Sequence, residues 1–443
     1  MSALALTKDR IEMAARRIPK LFISGRVTRV IGLLVEGFMP HVPVGAACQI
    51  RLRSTNEIVP AEVIGLKEDR AILMPIGTTS GIMVGDLIEH LRDEVTVKVS
   101  ETMLGRVLDG SGRPLDNGPE ILGQEYPLYH PSVSAVKRQR MTEPLSFGVR
   151  SIDGFLTCAK GQRVAIMAGS GVGKSTLLGM VARNASADVN VIGLIGERGR
   201  EVREFLENDL GTEGLKRSVV IVATSDSPAL IRMRAAFVAT SIAEYFRDRG
   251  QKVLLFMDSL TRFSMASREI GLSLGEPPTV KGYTPAIFGI LPRLLERAGT
   301  TEGAGSITGL YTILTEGDDL QDPIADAVRS IVDGHIVLSR KLSTMGHYPP
   351  IDILQSLSRV MTHVISPQHQ QAMVQVRRYL SLYEEMEDYI RMGVYNAGKN
   401  AELDRAIARI DEIRTFLRQQ VNEKSRMEET VAWLTKLSKE GRP

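Results

Sequence analysis

One stretch constrains this chain more than any other: RVAIMAGSGVGKSTLLGMVAR, residues 163–183. An apolar run suited to a buried strand leads into a glycine-rich turn and then a helical pattern, the order a phosphate-binding loop requires. Gly169, Ser170, Gly171, Val172 and Gly173 form the turn, whose glycines let backbone N–H groups face an anion. Lys174 is placed to reach β- and γ-phosphates, Ser175 to ligate Mg²⁺, and Thr176 follows inside the helix. The usual pattern G-x-x-x-x-G-K-[ST] opens on glycine, whereas this chain has Ala168 there, a small departure.

Two acidic residues stand where such a loop needs them. KVLLFMDSLTR is an apolar strand ending in Asp258, suited to hold the Mg²⁺ water shell from the carboxyl edge of a sheet. Asp258 is equally a residue type that caps the next helix. In VIGLIGERGRE, Glu197 follows another apolar run and so emerges at the same edge, where a carboxylate can polarise an attacking water. The competing reading pairs Glu197 with Arg198, Arg200 or Arg203 on a solvated turn.

The length of 443 residues calls for about three domains. Residues 1–20 read as a basic amphipathic helix, with Lys8, Arg10, Arg16, Arg17 and Lys20 around an apolar face. It suits docking on a partner or an acidic membrane surface, or simply a solvated helix. Residues 21–92 break into short apolar runs separated by glycine and proline, the pattern of a small β-barrel. The turn-rich LGRVLDGSGRPLDNGP, 104–119, reads as a hinge. From 93 to 365, RVAIMA, VNVIGLIG, SVVIVATS, KVLLFMDS, SITGLYTIL and HIVLSR alternate with helical stretches, which predicts an α/β domain with a mainly parallel sheet. Residues 366–443 are helical only; Leu403, Ile407, Ile410, Ile413, Leu417 and Val421 recur at helical steps.

Composition excludes several classes. A net charge of +3 carries no global nucleic-acid footprint, and aromatics at 5% leave the barrel without the aromatic–basic interleaving of single-strand binders. Cys48 and Cys158 are too few for a disulfide framework. No signal-peptide core and no run of membrane-spanning length is present, so a cytosolic location is expected.

With these elements placed, AGSGVGKST, GERGRE and MDSLTRFSMASREIG together resemble the catalytic-subunit family of rotary ATP synthases. PPIDILQSLS, 349–358, is similar to that family's P-x-x-D-x-x-x-S-x-S signature. GEPPTVKGYTPAIFGILPRLLERAG (275–299) and EGDDLQDPIADAVRSIVDGHIVLSRKL (316–342) more closely resemble the ATPases of type III protein export, the KGYTP wording being flagellar in character. The resemblance implies a RecA-like fold, a homohexameric ring with ATP sites between subunits, and Mg²⁺ as cofactor. By that resemblance Lys174 binds phosphates, Ser175 and Asp258 serve Mg²⁺, Glu197 is the general base and Arg198 lines the γ-phosphate pocket. Arg359, in QSLSRVM, is implied to be an arginine finger for a neighbouring subunit.

At the adenine end, the same resemblance aligns Gln370 with a rotary aromatic that stacks on the base, and Val421 with a second one. Tyr348 and His369 are two residues able to compensate. The implied partners are a stalk or regulatory protein at the N-terminal helix, a central coiled-coil protein and chaperone–cargo complexes at the C-terminal helices, and an export gate. The implied location is cytoplasmic, peripheral to the inner membrane. Injectisome secretion, a rotary-synthase-like subunit, a Rho-like RNA translocase and a non-hydrolysing regulatory subunit are the alternatives; a general base at Glu197 speaks against the last.

Overall fold

In a computed structural model the described residues are 23–315 and 322–439. The basic segment 1–20 and part of 316–342 therefore lie outside them. The chain divides after Val95 into two compact units, each treated separately below.

The first unit is a closed antiparallel barrel of β1 (Ser24–Ile31), β2 (Leu34–Phe38), β3 (Ala47–Arg51), β4 (Ile58–Lys67), β5 (Arg70–Pro75) and β6 (Leu87–Arg92), in the order β1-β2-β5-β4-β3-β6. Alternation along each strand turns Val27, Val35, Ile50, Val63, Leu73 and Ile88 into one buried core. Cys48 is buried in this core, and Cys158 is buried in the second unit; both are free thiols.

The second unit is built on a nine-stranded sheet. Its long strands are β7 (Val107–Asp109), β8 (Arg163–Ala168), β9 (Val189–Ile195), β10 (Ser218–Ala223), β11 (Lys252–Asp258), β12 (Ser306–Leu314), β13 (Gly334–Leu338) and β14 (Ile351–Ser358). They lie in the order β14-β13-β8-β12-β11-β9-β10-β7, and Gly299–Thr300 pairs with β12. All neighbours among the long strands are parallel except β14, which runs antiparallel to β13 with Gly334 opposite Ser358. The six apolar runs singled out in the sequence are β8 to β13, buried on both faces as a parallel sheet requires.

The segment 104–119 is not a hinge. It contributes the edge strand β7, whose Leu108 is fully buried. Its turns are held by Arg106, bidentate on Asp116 at 2.7 and 2.8 Å, and by Asp109, which accepts from the Ser111 and Arg113 N–H groups at 2.8 Å. Turn residues here close a tight hairpin rather than loosen a linker.

Helices Pro367–Arg391, Ala401–Leu417 and Met427–Ser438 share a hydrophobic core with the sheet unit. Phe416 meets Phe155 edge-on at 5.9 Å. The periodicity that reached Val421 stops at Leu417 as helix, because buried Arg150 takes the carbonyls of Phe416 and Arg418. A guanidinium on those carbonyls replaces the next helical turn.

Candidate functional site

β8 ends at Ala168, and the loop 169–173 delivers the chain into the helix Lys174–Asn184. Gly171 at φ +74° and Gly173 at φ +97° occupy the left-handed region, which disfavours any side chain. The fully buried Val172 pins the loop from below. Ala168 is the last ladder residue of β8, outside the positive-φ positions, and its carbonyl accepts from Thr315 N–H at 3.0 Å. No glycine is needed there, which accounts for the departure from the usual pattern.

The carboxyl edge of the sheet gathers the charged residues. Asp258 ends β11, is 3% exposed, and accepts a 2.6 Å hydrogen bond from the Thr312 hydroxyl on β12. Glu197 follows β9 after Gly196, whose φ of +71° turns the chain beside Arg262. Lys174 Nζ pairs with Glu197 at 3.2 Å and also with Asp258. Burial alone would lower the Lys174 pKa, but Asp258 and then Glu197 outweigh it and hold the ammonium charged.

Glu197 is pushed up to about 7, first by burial and next by the Asp258 charge, with Lys174 opposing. A hydrogen bond shared with Glu201 holds the proton on Glu197 and lowers Glu201. A carboxylate that changes charge near neutrality, beside a phosphate-type loop, has the properties of a general base.

Lys174, Ser175, Glu197, Glu201 and the loop glycines line one cleft of about 610 Å³, which Lys174 links to the buried Asp258. Arg198 lines it too, with an exposed guanidinium 3.4 Å from Glu201; Arg198, Arg200 and Arg203 pair with Glu201, Glu204 and Glu207, and Glu197 faces Lys174 instead of any of these arginines. Sequence reasoning missed three contributors: Glu201, Thr312 and Arg262. Arg262 lines the cleft with a buried Nε that has no partner among the described residues. Its signal was available, four residues beyond Asp258 on the same strand–helix turn. Thr312 was the polar residue within the apolar run SITGLYTIL.

The remaining site residues separate. Tyr348 lies against the loop: a Cβ built on Gly173 would be 3.6 Å from its ring. Its hydroxyl meets Ser343 Oγ at 3.0 Å. The Val421 carbonyl accepts from Arg183, on the phosphate-loop helix, at 2.9 Å. His369 instead is buried and bonds the Gly154 carbonyl at 2.8 Å. Gln370 is exposed on the first turn of helix Pro367–Arg391, apart from the residues lining the cleft. Arg359 is exposed just beyond β14, its N–H bonded to Asp333 O. Since β14 is antiparallel to β13, Arg359 stands at the amino edge of the sheet, opposite the edge that carries the loop.

Residues 148–358 match the ATP synthase alpha/beta family nucleotide-binding domain, and residues 27–92 match that family's beta-barrel domain. Residues 365–436 match the T3SS EscN ATPase C-terminal domain. The flagellum-specific ATP synthase of Bacillus subtilis is 50% identical over 417 residues, 94% of this chain and 95% of that protein. The type 3 secretion system ATPase of Xanthomonas euvesicatoria is 48% identical over 94% of each chain. The assembled ATPase EscN of enteropathogenic E. coli superposes with a TM-score of 0.88 at 44% identity, covering 94% of this chain and all of that one. Matched over nearly its whole length by these family models and relatives, the chain is an ATPase of the ATP synthase alpha/beta family, in the group of the flagellum-specific ATP synthases and type 3 secretion system ATPases.

Proposed function

We propose that this chain hydrolyses ATP for a flagellar type III protein export apparatus, at sites shared between subunits of a homohexameric ring. The observation that carries the shared site is the separation of Arg359 from its own loop by the length of a strand, while Lys174, Glu197, Arg198 and Arg262 line one cleft.

In this reading the loop N–H groups and Lys174 take the triphosphate, whose charge draws the ammonium away from Glu197 and Asp258. Ser175 and Asp258 would hold Mg²⁺, which would supply charge neutralisation to the bound phosphates; the buried, hydroxyl-bonded Asp258 fits that duty. Glu197, once deprotonated, orients and polarises the attacking water. Arg198 and Arg262 face the γ-phosphate from the cleft wall. Arg359 of the next subunit completes the charge stabilisation when the interface closes. Tyr348, rather than Gln370, stacks on the base with Val421 opposite.

The C-terminal helices receive a central coiled coil, a reading supported by the solved EscN complex with its central stalk EscO. They also receive chaperone–cargo complexes, while the N-terminal segment binds a stalk or regulatory protein and the ring meets the export gate. Among the described residues no helix is long and apolar enough to cross a membrane, in keeping with peripheral association at the inner membrane. The test is ATPase activity per chain against protein concentration. A steep rise supports shared sites; activity per chain that is independent of concentration refutes them.

A further inference from the structure

The base side of the nucleotide site is tied to the sheet unit through one buried amide. Gln419 is 4% exposed, and its backbone N–H donates to the Tyr348 carbonyl at 2.9 Å. Its side-chain oxygen accepts from Arg150 N–H at 2.8 Å. Its side-chain nitrogen donates to the carbonyls of Gly148 and Glu423, both at 2.8 Å. Gly148 is itself fixed, since its N–H and that of Phe147 bond the buried carboxylate of Asp153 at 3.0 and 2.8 Å.

Arg150, 6% exposed, doubles the connection. Its Nε donates to Phe416 O at 2.9 Å, its terminal nitrogens reach Arg418 O and the Glu423 carboxylate, and its plane lies 5.2 Å from the Trp433 ring centre. Val421 sits inside the turn so clamped. Tyr348 is 46% exposed and follows Gly346, so little side-chain packing sets its place. Its backbone bond to Gln419 does, together with the bond between its hydroxyl and Ser343. None of these contacts touches the loop 169–173.

We infer that Gln419 is a positioning residue for base recognition: it holds Tyr348 and Val421 at a fixed separation on the phosphate-loop helix, and thereby sets affinity for the adenine moiety without acting on the phosphates. The inference rests on the proposal that the base lies between Tyr348 and Val421.

The test uses the full-length chain carrying Gln419→Glu. This change keeps the shape and the acceptor for Arg150 N–H, but removes both donated bonds and sets an oxygen against two carbonyls. The KM for MgATP should rise about tenfold, as expected for one or two lost buried hydrogen bonds. The kcat should stay within about twofold, a loss of uniform binding. The inhibition constant of inorganic tripolyphosphate, which has no base, should not move.

An equal loss for ATP and tripolyphosphate, or no loss for either, overturns the inference. If Gln419→Glu fails to give a cooperative thermal unfolding transition, Gln419→Met, uncharged and of similar length, removes both donated bonds without setting a charge against the two carbonyls. It must then raise the KM for ATP alone, and an unchanged KM overturns the inference. Tyr348→Ala separates the two layers of argument. If it leaves the KM for ATP unchanged, the base-site proposal fails and the inference with it. If it raises that KM while Gln419→Glu does not, the inference alone fails.

Discussion

Mixing two inactive variants is the sharpest test of where Arg359 acts. In one chain, β13 covers the four residue steps from Gly334 to Leu338, about 13 Å at the usual strand rise of ~3.3 Å. Ser358 lies opposite Gly334, while Leu338 lies beside Ala168, from which the phosphate loop departs in the other direction. Arg359 would have to cross that span and the loop's own depth to touch phosphate held by Lys174, farther than its side chain extends. Arg359→Ala should therefore lower kcat by about 10³-fold or more, the range for removal of an arginine finger, and retain nucleotide binding. Lys174→Ala should be inactive for the opposite reason. When the two are mixed in equal amounts and allowed to exchange, about a quarter of randomly formed head-to-tail interfaces pair an intact loop with an intact Arg359. Steady-state phosphate release should recover to roughly that fraction of wild type. A mixture no more active than its separate components would falsify the trans assignment.

Other perturbations follow from the same geometry. Glu197→Gln should cut kcat by about 10²–10⁴-fold with ATP binding intact. Wild-type activity should climb as pH rises through an apparent value near 7, since the base works only once deprotonated, and a flat wild-type profile across that range contradicts the assignment. Thr312→Val removes the 2.6 Å bond to Asp258 at nearly constant shape. It should raise the Mg²⁺ concentration for half-maximal activity by roughly tenfold, as for loss of a charged hydrogen bond, and an unaltered Mg²⁺ titration refutes this. Gly179→Ala places a methyl group 2.6 Å from Asp209 O on the π-helical segment Phe205–Leu210. Denaturant unfolding should register a loss of about 1–3 kcal/mol, and an unchanged midpoint would show that this segment yields freely.

Much of this could be read from residues in order. The strands β8 to β13 were legible because strands buried on both faces must be nearly all apolar. Lys174, Asp258 and Glu197 were legible because each ends or follows such a strand, and parallel strands put those ends together. What failed depended on partners distant in sequence. The helix at 401 was expected to run through Val421, but Arg150, more than 260 residues away, claims its last carbonyls. The hinge reading of 104–119 failed because a three-residue edge strand is too short to show a period. His369 looked as able as Tyr348 to compensate for Gln370 until the fold turned His369 into the core and laid Tyr348 on Gly173.

The reversed direction of β14 has one more consequence, which concerns symmetry. If Arg359 completes a neighbour's site as proposed, a two-fold dimer would have to bring both edges of each sheet into one self-complementary patch, whereas a head-to-tail contact uses one edge of each chain. The proposed ring associates head to tail. Any open row of chains then ends in one loop without an arginine and one arginine without a loop, and only closure of the row removes the defect. In the proposed ring, catalysis at the final site would thus report the topology of the assembly, and unassembled single chains would be nearly silent.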